Sequence, residues 1–190
     1  LAQAALESGA DSLAVLEVPA ALELRAAGID SQIFAWLHGQ HTDFASAVDH
    51  DIDLGVSAVW QLEAIAAASR NKPGRVHLKV DTGLHRNGAN PEDWPVLVTT
   101  ALEAEKQGRL EIVGLWSHLA DASAEDDAAA LALFLESVKV AERLGCRDRL
   151  LHLAASSAGI REPEARLGLV RFGIAAYGIS PFDDQSAAQL

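Results

Sequence analysis

Methionine is missing altogether and cysteine occurs once, as Cys146, among the 190 residues. A single thiol excludes an internal disulfide and fits a reducing, cytoplasmic setting, in which a partly buried structural role is the ordinary reading. A chain without methionine that begins with Leu1 is expected to be an internal piece of a longer protein. Long apolar runs are absent too: charges or glycines break each one before the roughly 18 residues that would span a bilayer, and no basic-then-apolar leader opens the chain, so no membrane role is expected. Basic residues are few and scattered, 15 Lys and Arg against 27 Asp and Glu for a net charge of −12, which argues against a nucleic-acid surface. What remains is 49% hydrophobic and 22% charged, the balance of one globular domain working on a small molecule.

Short apolar runs alternate with Ala/Leu-rich amphipathic stretches, the pattern of β/α units. Seven strands are expected, at residues 12–16, 32–36, 52–56, 75–81, 111–117, 150–154 and 168–172, each apolar enough for a parallel sheet covered on both faces. Helices are expected at 1–8, closed by Gly9; at 19–27, with Pro19 first and Gly28 just beyond; at 58–69, capped by Ser57; and at 125–144, closed by Gly145. Seven such units fit either an open doubly wound sheet or an eight-stranded TIM-like barrel lacking its first strand. An opening helix favours the second, since a βα barrel cut after its first strand starts this way.

Three strand ends carry candidate chemistry. The fourth runs into Lys79-Val80-Asp81-Thr82-Gly83-Leu84-His85-Arg86-Asn87-Gly88, where period-2 alternation puts Lys79 and Asp81 on one face. An ion pair within the strand is the plainest reading, and no Lys-Ser/Thr follows the glycines as a phosphate loop requires. The fifth ends at Ser117-His118, and a histidine at the C-terminal end of a barrel strand suits an acid/base or orienting role as well as a structural one. After the sixth and seventh stand Ala155-Ser156-Ser157 and Arg171-Phe172-Gly173-Ile174, a place where Ser156 and backbone N–H groups can hold a phosphate and Arg171 can present a permanently charged donor. His38 and His41 have no third ligand at a recognisable spacing, so no metal is expected.

Together these segments resemble the alanine racemase family, fold-type III pyridoxal-phosphate enzymes. The collinear match includes Asp51-Ile52-Asp53-Leu54-Gly55-Val56, the Lys79 to Gly88 block and Val170-Arg171-Phe172-Gly173-Ile174-Ala175-Ala176-Tyr177-Gly178-Ile179-Ser180-Pro181, and it covers essentially the whole chain. The resemblance implies a pyridoxal 5'-phosphate cofactor and two-base interconversion of L- and D-alanine, a step that supplies D-alanine for peptidoglycan, in a homodimer. It also implies site roles. Arg171 corresponds to the arginine that hydrogen-bonds the cofactor's pyridine nitrogen and suppresses transamination by weakening the ring as an electron sink. That role predicts that substitution of Arg171 changes chemistry more than folding. Ser156, Gly173 and Ile174 correspond to the phosphate cradle, and His118 to the histidine in the hydrogen-bond network around the cofactor and the second base. Arg86 corresponds to the arginine beside the cofactor's phenolic oxygen, and Lys79 to the lysine, often carbamylated, whose new charge positions that arginine.

Two residues depart from the family pattern: Ala155 stands where an asparagine usually precedes the serine, and Phe172 where a proline often follows the arginine. The family's cofactor-holding lysine, at the end of the first barrel strand, has no counterpart among the four lysines, and the C-terminal β domain that supplies a tyrosine base is not matched either. Residues 1–190 are therefore expected to be an incomplete barrel domain, inactive alone. A degenerate barrel binding a phosphorylated ligand or a partner, and a racemase of another amino acid, remain alternatives.

Overall fold

The computed structural model describes residues 1–189, so Leu190, the last residue of the expected domain, lies outside the described residues. Six parallel strands pair in chain order: β1 (Ser12–Val15), β2 (Gln32–Ala35), β3 (Ile52–Val56), β4 (Gly74–Lys79), β5 (Leu110–Trp116) and β6 (Leu150–His152). Parallel neighbours need crossovers, and here helices supply them: α2 (Val18–Ala26), α3 (Phe44–Asp49), α4 (Val59–Ala68), α5 (Trp94–Lys106) and α6 (Ala124–Leu144). The six-residue helices α1 (Ala2–Glu7) and α7 (Ser156–Arg161) flank the set, and the sheet curls as half of a barrel wall.

Alternation along the strands splits the sheet into two chemically different faces. One is aliphatic: Ile33, Ile52, Leu54, Val76, Leu78, Ile112 and Leu115 pack under the helices with Leu62, Ile65, Leu97 and Phe134, all fully buried. At roughly 1.5–3 kcal/mol for each large apolar side chain removed from water, this layer holds the fold together. The other face carries Phe34, Asp53, His77, Lys79, Trp116 and His152, aromatic and polar yet also buried. Buried polar groups survive only with partners, so this face holds a network of hydrogen-bonded side chains.

A β-bulge re-aims β5. Val76 pairs with Ile112 but His77 pairs with Gly114, so Val113 is an extra residue. Strict alternation from Glu111 would send Val113 and Leu115 to the polar face; the inserted residue sends Gly114 and Trp116 there instead.

Several expectations need correction. The expected seventh strand, 168–172, is not a strand: it meets β6 through a bridge between Leu169 and His152 and through Gly168 N–H to Leu151 O (3.0 Å) and Arg171 N–H to Ala154 O (3.1 Å). β6 itself is only three residues long, and the chain beyond it turns into α7, so no continuous ladder forms. Ser57 does not cap α4. The cap residue is Ala58, and the Ser57 hydroxyl donates to Asn87 Oδ1 on the loop after β4, while its N–H is taken by Gln61 Oε1 at 2.7 Å. The helix expected at 19–27 begins one residue earlier, with Pro19 in its first turn. The long helix starts at a Ser123 cap and closes at Gly145 in the left-handed conformation (φ 108°), as expected.

Candidate active site

The C-terminal ends of the strands open into a cavity of about 410 Å³ bordered by Trp36, Arg86, His118, Ser156, Arg171 and Gly173. Trp116 forms part of its wall, and Ala155 and Phe172, the two departures from the family pattern, also border it. Of the expected site residues, the structure brings Arg86, His118, Ser156, Arg171, Gly173 and Ile174 to this one cavity, with Lys79 buried beside Trp116.

Arg171 is the most heavily anchored of them. Its Nη2 donates to Ser117 O (2.8 Å), Leu153 O (2.8 Å) and His118 Nδ1 (3.1 Å), and its Nη1 donates to His152 Nδ1 (2.7 Å). The guanidinium also lies 5.1 Å from the Trp116 ring centre. Burial lowers its pKa to about 10, so it stays charged at neutral pH. Nε donates to no described residue. Because the group joins three separate segments, it organises the fold as well as the cavity, and its replacement is expected to cost stability, contrary to what its cofactor role alone would imply.

His118 accepts from Arg171 at Nδ1, so its proton resides on Nε2. Burial, with Arg171, Arg86 and Lys79 nearby, lowers its pKa to about 4. It is a neutral imidazole in the cavity wall.

Lys79 is 1% exposed and makes no ion pair among the described residues; its ammonium sits 4.7 Å from the Trp116 ring centre. Burial, then the charges of Arg86 and Arg171, lower its pKa to about 8. The ion pair expected with Asp81 is absent because Asp81 is committed elsewhere. Its Oδ1 accepts from Gly83 N–H (3.0 Å) and His85 N–H (3.1 Å), and its Oδ2 contacts His85 Nδ1 (3.1 Å). That staple shapes the turn through which Arg86 reaches its place 5.5 Å from the Trp36 ring centre. Gly88 closes the turn at φ 132°, where an added Cβ would stand 2.6 Å from Asp81 N, so only glycine fits.

Also at the cavity, Ser156 Oγ accepts from Gly173 N–H (3.0 Å) and Ala175 N–H (3.3 Å), while Ile174 N–H donates to no described residue. The serine oxygen thus stands where N–H groups converge, and nothing lies within 4 Å of where a Gly173 side chain would begin. Two cations, Arg86 and Arg171, line this space in a chain of net charge −12, and a third, Lys79, is buried behind it beside Trp116. The donor set fits a ligand with a phosphate at one end and a planar ring bearing an acceptor nitrogen near Arg171.

Sequence reasoning missed Asp53, His77, His152, Trp36 and Trp116. A polar residue in the middle of an otherwise apolar parallel strand is the signal that would have found the first three. His38 is buried against Phe44, with ring centres 5.5 Å apart, and no metal-binding group of three or more side chains is present among the described residues. No helix among them is long and apolar enough to cross a membrane.

Residues 1–181 match the family described as alanine racemase, N-terminal domain. The alanine racemase of Salinispora arenicola is 43% identical over 190 residues, covering 97% of this chain and 51% of that protein. That of Thermobifida fusca is 41% identical over 185 residues, covering 95% and 50%. Among solved structures, alanine racemase from D-cycloserine-producing Streptomyces lavendulae superposes with a TM-score of 0.96 at 39% identity, over 99% of this chain and 51% of that one. The Streptomyces coelicolor enzyme gives 0.94 at 40% identity, over 98% and 52%. The chain spans about half the length of the curated relatives it matches.

Proposed function

The chain belongs to the alanine racemase N-terminal domain family, and on that premise we propose that the protein containing it interconverts L- and D-alanine with pyridoxal phosphate held in the cavity beside Trp116. The observation that carries this reading is the anchored guanidinium of Arg171, with an uncommitted Nε, bordering the same cavity as the Ser156, Gly173 and Ile174 turn. When bound, the cofactor supplies the electron sink that makes an amino acid's α-proton removable. The Ser156 hydroxyl and the Ile174 N–H, uncommitted among the described residues, would hold the phosphate, joined by the Gly173 N–H once it turns from Ser156 Oγ to the ligand. Arg171, always a donor, meets the ring nitrogen at its lone pair and so keeps a proton off it. Neutral His118 offers its Nε2–H to the cavity and orders the groups around the second base. Ala155 leaves the phosphate side without the polar side chain usual there, so the serine and the backbone carry that end.

Because the chain accounts for about half of its relatives' length, the lysine that holds the cofactor, the remaining barrel strand and the tyrosine-bearing β domain would come from sequence outside residues 1–190. The working protein would be a cytoplasmic homodimer. Its test is racemisation of alanine by the complete protein.

Lys79 has its own test. With a pKa near 8, a sizeable fraction of its amine is neutral, and its neighbours Arg86 and Arg171 favour a negative charge there. The neutral nitrogen attacks carbon dioxide, an N–C bond forms and one amine proton leaves to solvent, giving a carbamate that positions Arg86. Protein equilibrated with 13C-bicarbonate is expected to show one carbamate carbon resonance that Lys79→Ala abolishes. A spectrum without that resonance at saturating bicarbonate refutes the assignment.

A further inference from the structure

The geometry points to a positioning role for Asp53: we propose that it orients Arg171 from two side chains away, through a wire of His77 and His152 whose protons run in one direction. The contacts are continuous. Arg171 Nη1 meets His152 Nδ1 at 2.7 Å, His152 Nε2 meets His77 Nδ1 at 2.9 Å, and His77 Nε2 meets Asp53 Oδ2 at 3.1 Å.

Donor and acceptor counting fixes the order. An arginine only donates, so His152 Nδ1 is a lone pair and its proton is on Nε2. That proton is given to His77 Nδ1, which is therefore also a lone pair, leaving the His77 proton on Nε2 for the Asp53 carboxylate. A protonated His77 would drive a second proton against His152 Nε2, so both rings are neutral and Asp53 is ionised. Burial opposes that ionisation, but hydrogen bonds from His77 and Arg75 outweigh it and keep the carboxyl below its usual range.

The wire explains an imbalance around Arg171. Its direct acceptors, two carbonyls and two neutral imidazoles, carry no charge. Asp53 is the carboxylate in unbroken hydrogen-bond contact with it. Asp53 is itself clamped by Arg75 Nε at 2.7 Å and by Gln32, so it has one orientation to transmit. The path is built into the sheet. His77 on β4 and His152 on β6 are separated by β5, and they meet only because Gly114 lies between them; a Cβ there would stand 2.5 Å from His77 Nδ1. Trp116 stacks on His152 at 5.4 Å and 6°, and Phe34 packs on both rings, so neither imidazole can turn.

The consequence for the reaction rests on reading Arg171 as the donor to the cofactor ring, but the wire itself does not, and its test needs no cofactor. In the chain labelled with 15N at histidine and arginine, His77 and His152 are both expected to show a protonated Nε2 and an unprotonated Nδ1 at neutral pH. A protonated Nδ1 on either ring overturns the proposal, whatever the racemase assay gives. In Asp53→Asn the terminal acceptor loses its charge. A second His77 tautomer, with its proton on Nδ1 and directed against His152 Nε2, should then appear, and the Arg171 Nη1 protons, whose contact with His152 is loosened in turn, should exchange up to about tenfold faster, as for the weakening of one neutral hydrogen bond. Unchanged tautomers and exchange in a folded Asp53→Asn chain contradict the role of Asp53, and if that variant does not fold, the unsubstituted chain's tautomers decide.

Discussion

Replacing Arg171 by leucine is expected to destabilise the chain by about 3–5 kcal/mol, because it leaves several neutral buried acceptors without the donor they share. The aliphatic stem is kept, so the loss is that of the guanidinium. Ser117 O, Leu153 O, His118 Nδ1 and His152 Nδ1 would be left without the donor they share. Each buried acceptor without a partner costs roughly 1–3 kcal/mol, reduced wherever cavity water can reach it. Against a typical domain stability of about 5–15 kcal/mol the change is large. Arg171→Lys should fall between, since an ammonium keeps the charge but cannot reach four acceptors from one plane. Urea denaturation with an unchanged slope reads the difference as a shift in midpoint. A leucine variant within about 1 kcal/mol of the parent would mean that Arg171 does not tie the segments together.

Acidification is expected to unfold the chain between about pH 6.5 and pH 4, before most of its carboxylates titrate. Burial lowers His38 to about 4; burial and three neighbouring cations lower His118 to about 4; burial, Arg171 and His77 push His152 well below its usual value. In the unfolded chain the same imidazoles take up protons near 6.5, so within this window the unfolded state binds more protons and stability falls as the pH falls. The contribution is complete above about 6.5 and is lost on the way down to the folded values. At 1.36 kcal/mol per pKa unit, His38 alone accounts for about 3 kcal/mol, and His118, partly open to the cavity, for somewhat less. Near-ultraviolet circular dichroism against pH measures the transition, and His38→Leu should move its midpoint to lower pH. Tertiary structure that persists unchanged to pH 4 would show that these imidazoles are not held neutral by the fold.

The strands were legible because parallel strands buried on both faces must be apolar, and the runs around Ile33, Leu54, Leu78 and Leu115 are. α6 was legible from its length and from Gly145. Ser57 misled because its hydroxyl is recruited by Asn87, a contact 30 residues away that no local cap rule contains. Residues 168–172 misled because an apolar run next to a three-residue strand has too short a partner for a ladder. At the site, the strand-end residues Arg86, His118, Ser156 and Arg171 could be picked out because barrel chemistry gathers at C-terminal strand ends. Their wiring could not. One inserted residue, Val113, decides which of Leu115 and Trp116 faces the cavity, and the bond between His77 and His152 crosses a strand at Gly114. Neither is a property of spacing within one segment.

The most direct test is the fate of L-alanine with the complete protein that contains this chain, followed as loss of the amino acid's optical activity with and without added pyridoxal phosphate. The account predicts cofactor-dependent conversion to an equal mixture of L- and D-alanine, faster than for any bulkier amino acid. A folded, cofactor-saturated protein that leaves L-alanine unchanged, or that racemises a different amino acid in preference, would contradict it.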